Sequence, residues 1–452
     1  MQPTRVQVAG PDTLLGQLQR GRGRGYLRAL EADHRDMHAA LFTCLTQDPR
    51  HDRDFESRAG YYVGLVARTS MDLGAIESYL AELDIAAGKR GEANLALDAL
   101  GVLAGAAHEL ACVLLREEVE HGGAWEHALR ALAWEDVRLV NGLDEALRRR
   151  FPGDSIYGAM SDFEPGFDGE PWTTWRETSQ WVAGLCRNQP VGAVVQGMGP
   201  RPSDRMSAIE LLECAERGWR GEAGTLLGRR ENASDVSLLV AVARDGRGGP
   251  AFAALRALRI RRNPAALEVA ISRVLADNGS ESMAALTRYI VSFSERSMLA
   301  RARDWFTSAH QQTRMLGERI LARHAEPRDV PMLRTALQAA QAAADPAREM
   351  AVLDALSHLS DDGPCPEVVD TYLGTPHSLC RHRAATVLAA TDAAFARTLA
   401  VESLWDCEPD TVELACRTVD VDAPDVRERL RDLAGDERAD DGVRDAAAER
   451  LA

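Results

Sequence analysis

The chain has 452 residues, 45% hydrophobic and 27% charged, a balance that belongs to folded proteins and excludes disorder of the chain as a whole. Its formal net charge of -16 opposes bulk attraction to DNA or to an anionic membrane. Lys89 is the single lysine among 53 basic residues; lysine-dependent chemistry would have to use it, and residues 83–89 lack the first glycine of a phosphate-binding loop.

Residues 1–25 are glycine-rich and basic and end in Arg20, Gly21, Arg22, Gly23, Arg24 and Gly25; this composition predicts a flexible tail. A helical-repeat block is expected over 26–150. Leu95, Leu97, Leu100 and Leu103 recur with helical periodicity, as do Leu110, Val113 and Leu114. Helix pairs are expected near 35–67, 72–104 and 107–133. A last helix over 135–150 ends in Arg148, Arg149 and Arg150, whose cations suit the negative end of a helix dipole. Residues 151–202 break the pattern and read as an acidic, aromatic strap carrying one helix at 173–187. Proline and glycine at Pro152, Gly153, Pro165, Gly166, Gly169 and Pro171 keep its first part irregular. Asp154, Asp162, Glu164, Asp168 and Glu170 meet no base there, and Tyr157, Phe163, Phe167 and Trp172 supply flat rings.

From 203 to 452 paired helix-length segments recur. First helices are predicted to start near Asp204, Asp235, Pro264, Ser297, Asp329, Pro366, Asp392 and Pro424. Steps of about 30 residues between them mark a stack of two-helix units. Second helices repeat an arginine, a residue at +3 on the same face and an apolar residue at +7, as in Arg314, Gly317 and Leu321 or Arg381, Ala384 and Leu388. A small residue at +3 lets a neighbouring helix approach closely. Asp345 with Arg348, and Asp441 with Arg444, stand at the turn between paired helices.

This pattern resembles the HEAT repeat. The resemblance covers 203–452 well and 26–150 loosely, and it implies an all-α fold, an armadillo-like α-solenoid of two-helix repeats. It also implies that the aspartate and arginine at the turns build polar ladders between repeats. Segments 249–262 and 280–296 depart from it by lacking that pair. Such arrays serve mostly as scaffolds, so the fold does not name the function.

Residues 201–330 hold 21 arginines against 16 acidic residues, a basic stretch in an acidic chain. Arg256, Arg259, Arg288 and Arg319 fall on successive second helices at similar offsets. Guanidinium groups so placed can grip carboxylates or phosphates. The expected function is therefore a scaffold or adaptor that binds an acidic protein segment there, with nucleic acid as second choice. The plain alternative is a solvated face. The strap, through Tyr157, Phe163, Phe167 and Trp172, is expected to brace or inhibit that surface, or else to cover an apolar seam.

No catalytic residue, cofactor or metal site is assigned. His34 and His38 share a helix face, but Arg35 stands where a zincin would have glutamate. Cys365, His377, Cys380 and His382 have zinc-type chemistry, but an intervening helix would hold Cys365 away. No nucleophile elbow or dinucleotide fingerprint is complete. Asp304 and Trp305 resemble the acid and indole of HEAT-like alkylpurine DNA glycosylases, which gives an enzymatic alternative. Eight scattered cysteines without a C-x-x-C pair, no leader sequence and no run of 18 apolar residues predict a cytoplasmic protein without a membrane partner.

Overall fold

The computed structural model describes residues 7–50, 52–53, 56–82, 93–152, 155–156, 169–188, 201–230, 232–276, 283–359, 365–423 and 425–452. These are helical, with no strand among them. None of their helices is long and apolar enough to cross a membrane. The chain divides into two compact units: residues 1–188 with 362–452, and residues 189–361. The array expected over 203–452 is thus divided, and its last part belongs with the N-terminal residues.

The first unit opens with α1 (Leu14–Gln19), α2 (Gly23–Glu31), α3 (His34–Thr46), α4 (Ala59–Thr69), α5 (Gly74–Glu82), α6 (Asn94–Gly105), α7 (Glu109–His121), α8 (Trp125–Glu135) and α9 (Leu143–Arg150). Next come α10 (Trp172–Thr178) and α11 (Gln180–Asn188). In this unit α2, α4, α6 and α8 pack in series. The buried leucines of α6, including Leu95, Leu97, Leu100 and Leu103, fill the space between neighbours.

Residues 7–25 are not the expected tail. Thr13 caps α1, its Oγ1 accepting from Gly16 N. Gln17, Leu18, Gln19, Arg20 and Arg22 are all buried. The glycines have a packing reason. Gly21 sits at φ 66°, where a side chain is strained, and a Cβ there would overlap Cys407 Sγ. A Cβ on Gly23 would overlap the carbonyl of Glu402. A composition that reads as flexible here lets backbone meet backbone.

The second unit contains α12 (Ala208–Cys214), a wide turn at Ala215–Trp219, α13 (Arg220–Arg229), α14 (Asp235–Asp245), α15 (Gly248–Ile260), α16 (Leu267–Ala276), α17 (Met283–Ser292), α18 (Leu299–Phe306), α19 (Gln311–His324), α20 (Val330–Ala343) and α21 (Pro346–Leu356). Here α13, α15, α17, α19 and α21 pack in series, and α14, α16, α18 and α20 each lie against the helix that follows. Gly317 is the small residue expected at +3: a Cβ would come within 2.7 Å of Ala302 O on α18. Asp345 caps α21 by accepting from Arg348 N at 3.1 Å, and Pro346 opens it, where no N–H is needed.

The rest of the first unit is α22 (Pro366–Gly374), α23 (Ser378–Thr391), α24 (Leu399–Ser403), α25 (Pro409–Thr418), α26 (Val426–Gly435) and α27 (Asp441–Leu451). Its α23, α25 and α27 pack in series, and α24 lies against α2. Cys407 belongs to the same apolar cluster as Leu18, Tyr61 and Leu65. Residues from both sides of the middle unit therefore share a core.

Arginine ties neighbouring helices in both units. Arg261 donates to Leu227 O at 2.6 Å, Arg273 to Ala243 O at 2.6 Å and Arg323 to Val291 O at 2.8 Å. Arg150 donates to Val119 O at 2.9 Å and Arg450 to Val419 O at 2.5 Å. Each acceptor lies in the last turn or cap of a helix 30 to 34 residues earlier, where carbonyls lack an intrahelical donor. These five arginines thus join neighbouring helices.

Candidate binding surface

The four arginines singled out in the sequence lie on three alternate helices of the second unit: Arg256 and Arg259 on α15, Arg288 on α17 and Arg319 on α19. The opposite faces explain their direction. α15 buries Ala251, Ala254, Leu255 and Leu258; α17 buries Leu286, Tyr289 and Ile290; α19 buries Leu316, Ile320 and Leu321. What remains outward at helical spacing is Arg256 and Arg259, then Arg288, then Arg319. Arg288 and Arg319 are exposed, and Arg256 and Arg259 half-buried.

Arg256, Arg288 and Arg319 stand 32 and 31 residues apart. A hydrogen bond shows that such positions are neighbours across helices: Arg256 Nε donates to Thr225 Oγ1 on α13 at 3.0 Å, 31 residues earlier. Thr225, Arg256, Arg288, Arg319 and Ala351 therefore form one row over α13, α15, α17, α19 and α21. Arg256, Arg259, Arg288 and Arg319 make no ion pair among the described residues. Their guanidinium groups are available to an anion, and Thr225 orients that of Arg256.

One turn earlier on the same helices lies a second row that sequence reasoning missed: Phe252, Ala284 and Met315. Each precedes its arginine by four residues. Arg220 lies over the Phe252 ring, with its Cζ 5.3 Å from the centroid. The signal was the 31- and 32-residue spacing read four positions earlier.

The remaining sequence candidates fall elsewhere. Tyr157, Phe163 and Phe167 lie outside the described residues. Trp172 is buried in the first unit, edge-on to Trp175 at 5.3 Å. Trp305 is 8% exposed, packed below Arg301 with Cζ at 5.1 Å, while Asp304 points to solvent. His34 and His38 stack edge-on at 5.9 Å, and His38 Nε2 is 3.3 Å from Thr69 O. Cys365 Sγ donates to Glu367 at 3.0 Å, and Cys380 is fully buried. Among the described residues no group of three histidines, cysteines or acids could hold a metal.

The first unit holds a second charged constellation, also missed. Arg58 and Arg381 are completely buried. Arg58 donates to Glu56 Oε2 at 2.6 Å, to Pro376 O at 2.5 Å and to Gln19 O. Arg381 grips Asp406 through Nε at 2.8 Å and Nη2 at 2.9 Å. Ser378 links the two: its N–H donates to Glu56 at 3.2 Å and its Oγ to Glu408 at 2.7 Å. Burial pushes Glu56 up, but Arg58, the Asp52 amide and His377 outweigh it and hold the carboxyl at about 2. Burial pushes the Cys407 thiol up to about 12. Arg20 has no carboxylate; it donates to Gly374 O, Ala9 O and Gly16 O. These groups join N-terminal residues to 374–408, although Arg58 Nε and Arg381 Nη1 are buried without a hydrogen-bond partner among the described residues.

An open cleft of about 630 Å³ lies between α25 and α27, lined by Glu408, Asp410, Glu413, Glu437, Asp440 and Asp441. Arg444 answers Asp441 at 2.5 Å, and Arg417 answers Glu413 at 2.5 Å. Comparison of the chain with protein-family models, with curated proteins and with solved structures found no match.

Proposed function

We propose that the chain is a HEAT-like α-solenoid that works as a scaffold or adaptor in the cytoplasm, binding an acidic protein segment on the outward faces of α15, α17 and α19. The observation that carries this reading is the row of arginines on alternate helices, packed in series, that make no ion pair among the described residues. A charged side chain within a stable fold commonly finds its counter-ion nearby, as Arg303 does with Asp329 at 2.7 Å in this same unit. Serial packing of alternate helices, ties between helices about one repeat apart and the Asp345 cap with Arg348 reaching Glu318 at 3.2 Å support the repeat reading.

Protein is preferred to nucleic acid because the neighbouring row offers an aromatic face at Phe252 but not at Ala284 or Met315, and single strands bind by stacking on successive rings. The test is association with an acidic peptide across a salt series. Arg256→Ala combined with Arg288→Ala is expected to weaken binding about 100-fold at low salt, from two lost charge-assisted contacts. Binding that ignores both salt and these substitutions would refute the assignment. An oligonucleotide that binds while the peptide does not would select nucleic acid.

A further inference from the structure

The two rows together set a spacing. Helices in direct contact lie about 8–10 Å apart, so equivalent side chains along the stack recur at about that interval. A peptide in the polyproline II conformation advances about 3.1 Å per residue with three residues per turn, so every third side chain returns to the same edge after about 9 Å. The arginine row and the apolar row run side by side, four residues apart on each helix, which is about one turn. Each of α15, α17 and α19 thus presents one arginine next to one apolar side chain: Arg256 by Phe252, Arg288 by Ala284 and Arg319 by Met315.

Resting on the reading above, we infer that the occupant is an acidic peptide in the polyproline II conformation whose carboxylates recur at every third residue, each beside an apolar residue. The arginine row receives the carboxylates as charge-assisted hydrogen bonds. The apolar row covers the side chains between them. Thr225 and Ala351 end the arginine row at α13 and α21, so the matched segment is about seven to nine residues long.

The experiment uses the full chain and nonapeptides of identical composition, three glutamates, three leucines and three serines. One repeats Glu-Leu-Ser; its isomers cluster or alternate the glutamates. The period-three peptide is expected to bind about tenfold tighter than its isomers, roughly one well-formed contact. Ala284→Glu places a carboxylate on the exposed apolar row and is expected to abolish that preference, with helix content unchanged by circular dichroism. Equal affinity for all isomers would overturn the spacing while leaving an acidic-peptide surface standing. Failure of every peptide to bind would overturn both.

Discussion

Arginine does opposite work in the two units. In the first, Arg58 and Arg381 are wholly buried and answered by Glu56 and Asp406. In the second, Arg288 and Arg319 stand exposed without an acid. A buried guanidinium is tolerable only when paired, since desolvation costs several kcal/mol and an orphaned partner keeps that cost. An exposed guanidinium holds nothing up and is free to recognise. The contrast separates residues that maintain the fold from residues that can be altered to probe binding.

The sharpest way to break this contrast is a matched pair of variants. Arg381→Ala leaves Asp406 buried and uncompensated and should cost about 3–5 kcal/mol in denaturant unfolding. Arg288→Ala should stay within about 0.5 kcal/mol. Similar losses for both would erase the distinction. Next in size, Gly23→Ala forces a methyl into the Glu402 carbonyl and should destabilise by about 1–3 kcal/mol. Gly60→Ala, where a Cβ meets nothing within 4 Å, serves as its control. If residues 1–25 were a tail, Gly23→Ala would be as harmless as its control.

Glu56→Gln sharpens the comparison through pH. The Glu56 carboxyl is held at about 2 against an ordinary value of 4.5. A depressed carboxylate binds its proton more readily when unfolded, so its stabilisation is complete above about pH 4.5 and lost as pH falls towards 2. Wild type should exceed the variant by about 1–3 kcal/mol at pH 7, and the gap should close over that window. A gap constant from pH 7 to pH 2 would show that shape, not charge, accounts for it.

Much of the architecture was legible because helical periodicity and turn chemistry are local. Pro346 and Asp345 mark the start of α21 in sequence as in structure, and Gly317 admits α18 as its small size requires. The row at Arg256, Arg288 and Arg319 was legible for the same reason: a fixed spacing on stacked helices produces neighbours. The buried constellation was not legible. Arg58 and Arg381 appear in sequence as ordinary members of a repeated pattern, and nothing local shows that Arg58 meets Pro376 across 318 residues. The glycines at 21, 23 and 25 misled because composition reports what a backbone can do, and packing decides what it does.

The partnership of Arg58 with Pro376 also orders events in time. A ribosome adding about 5–20 residues per second needs roughly 15 to 60 s to travel the 318 residues between them. For much of that interval Glu56 and Arg58 lack Pro376 and Ser378, the groups they later meet. The nascent chain must keep that edge soluble, and its own charges are what allow it to wait.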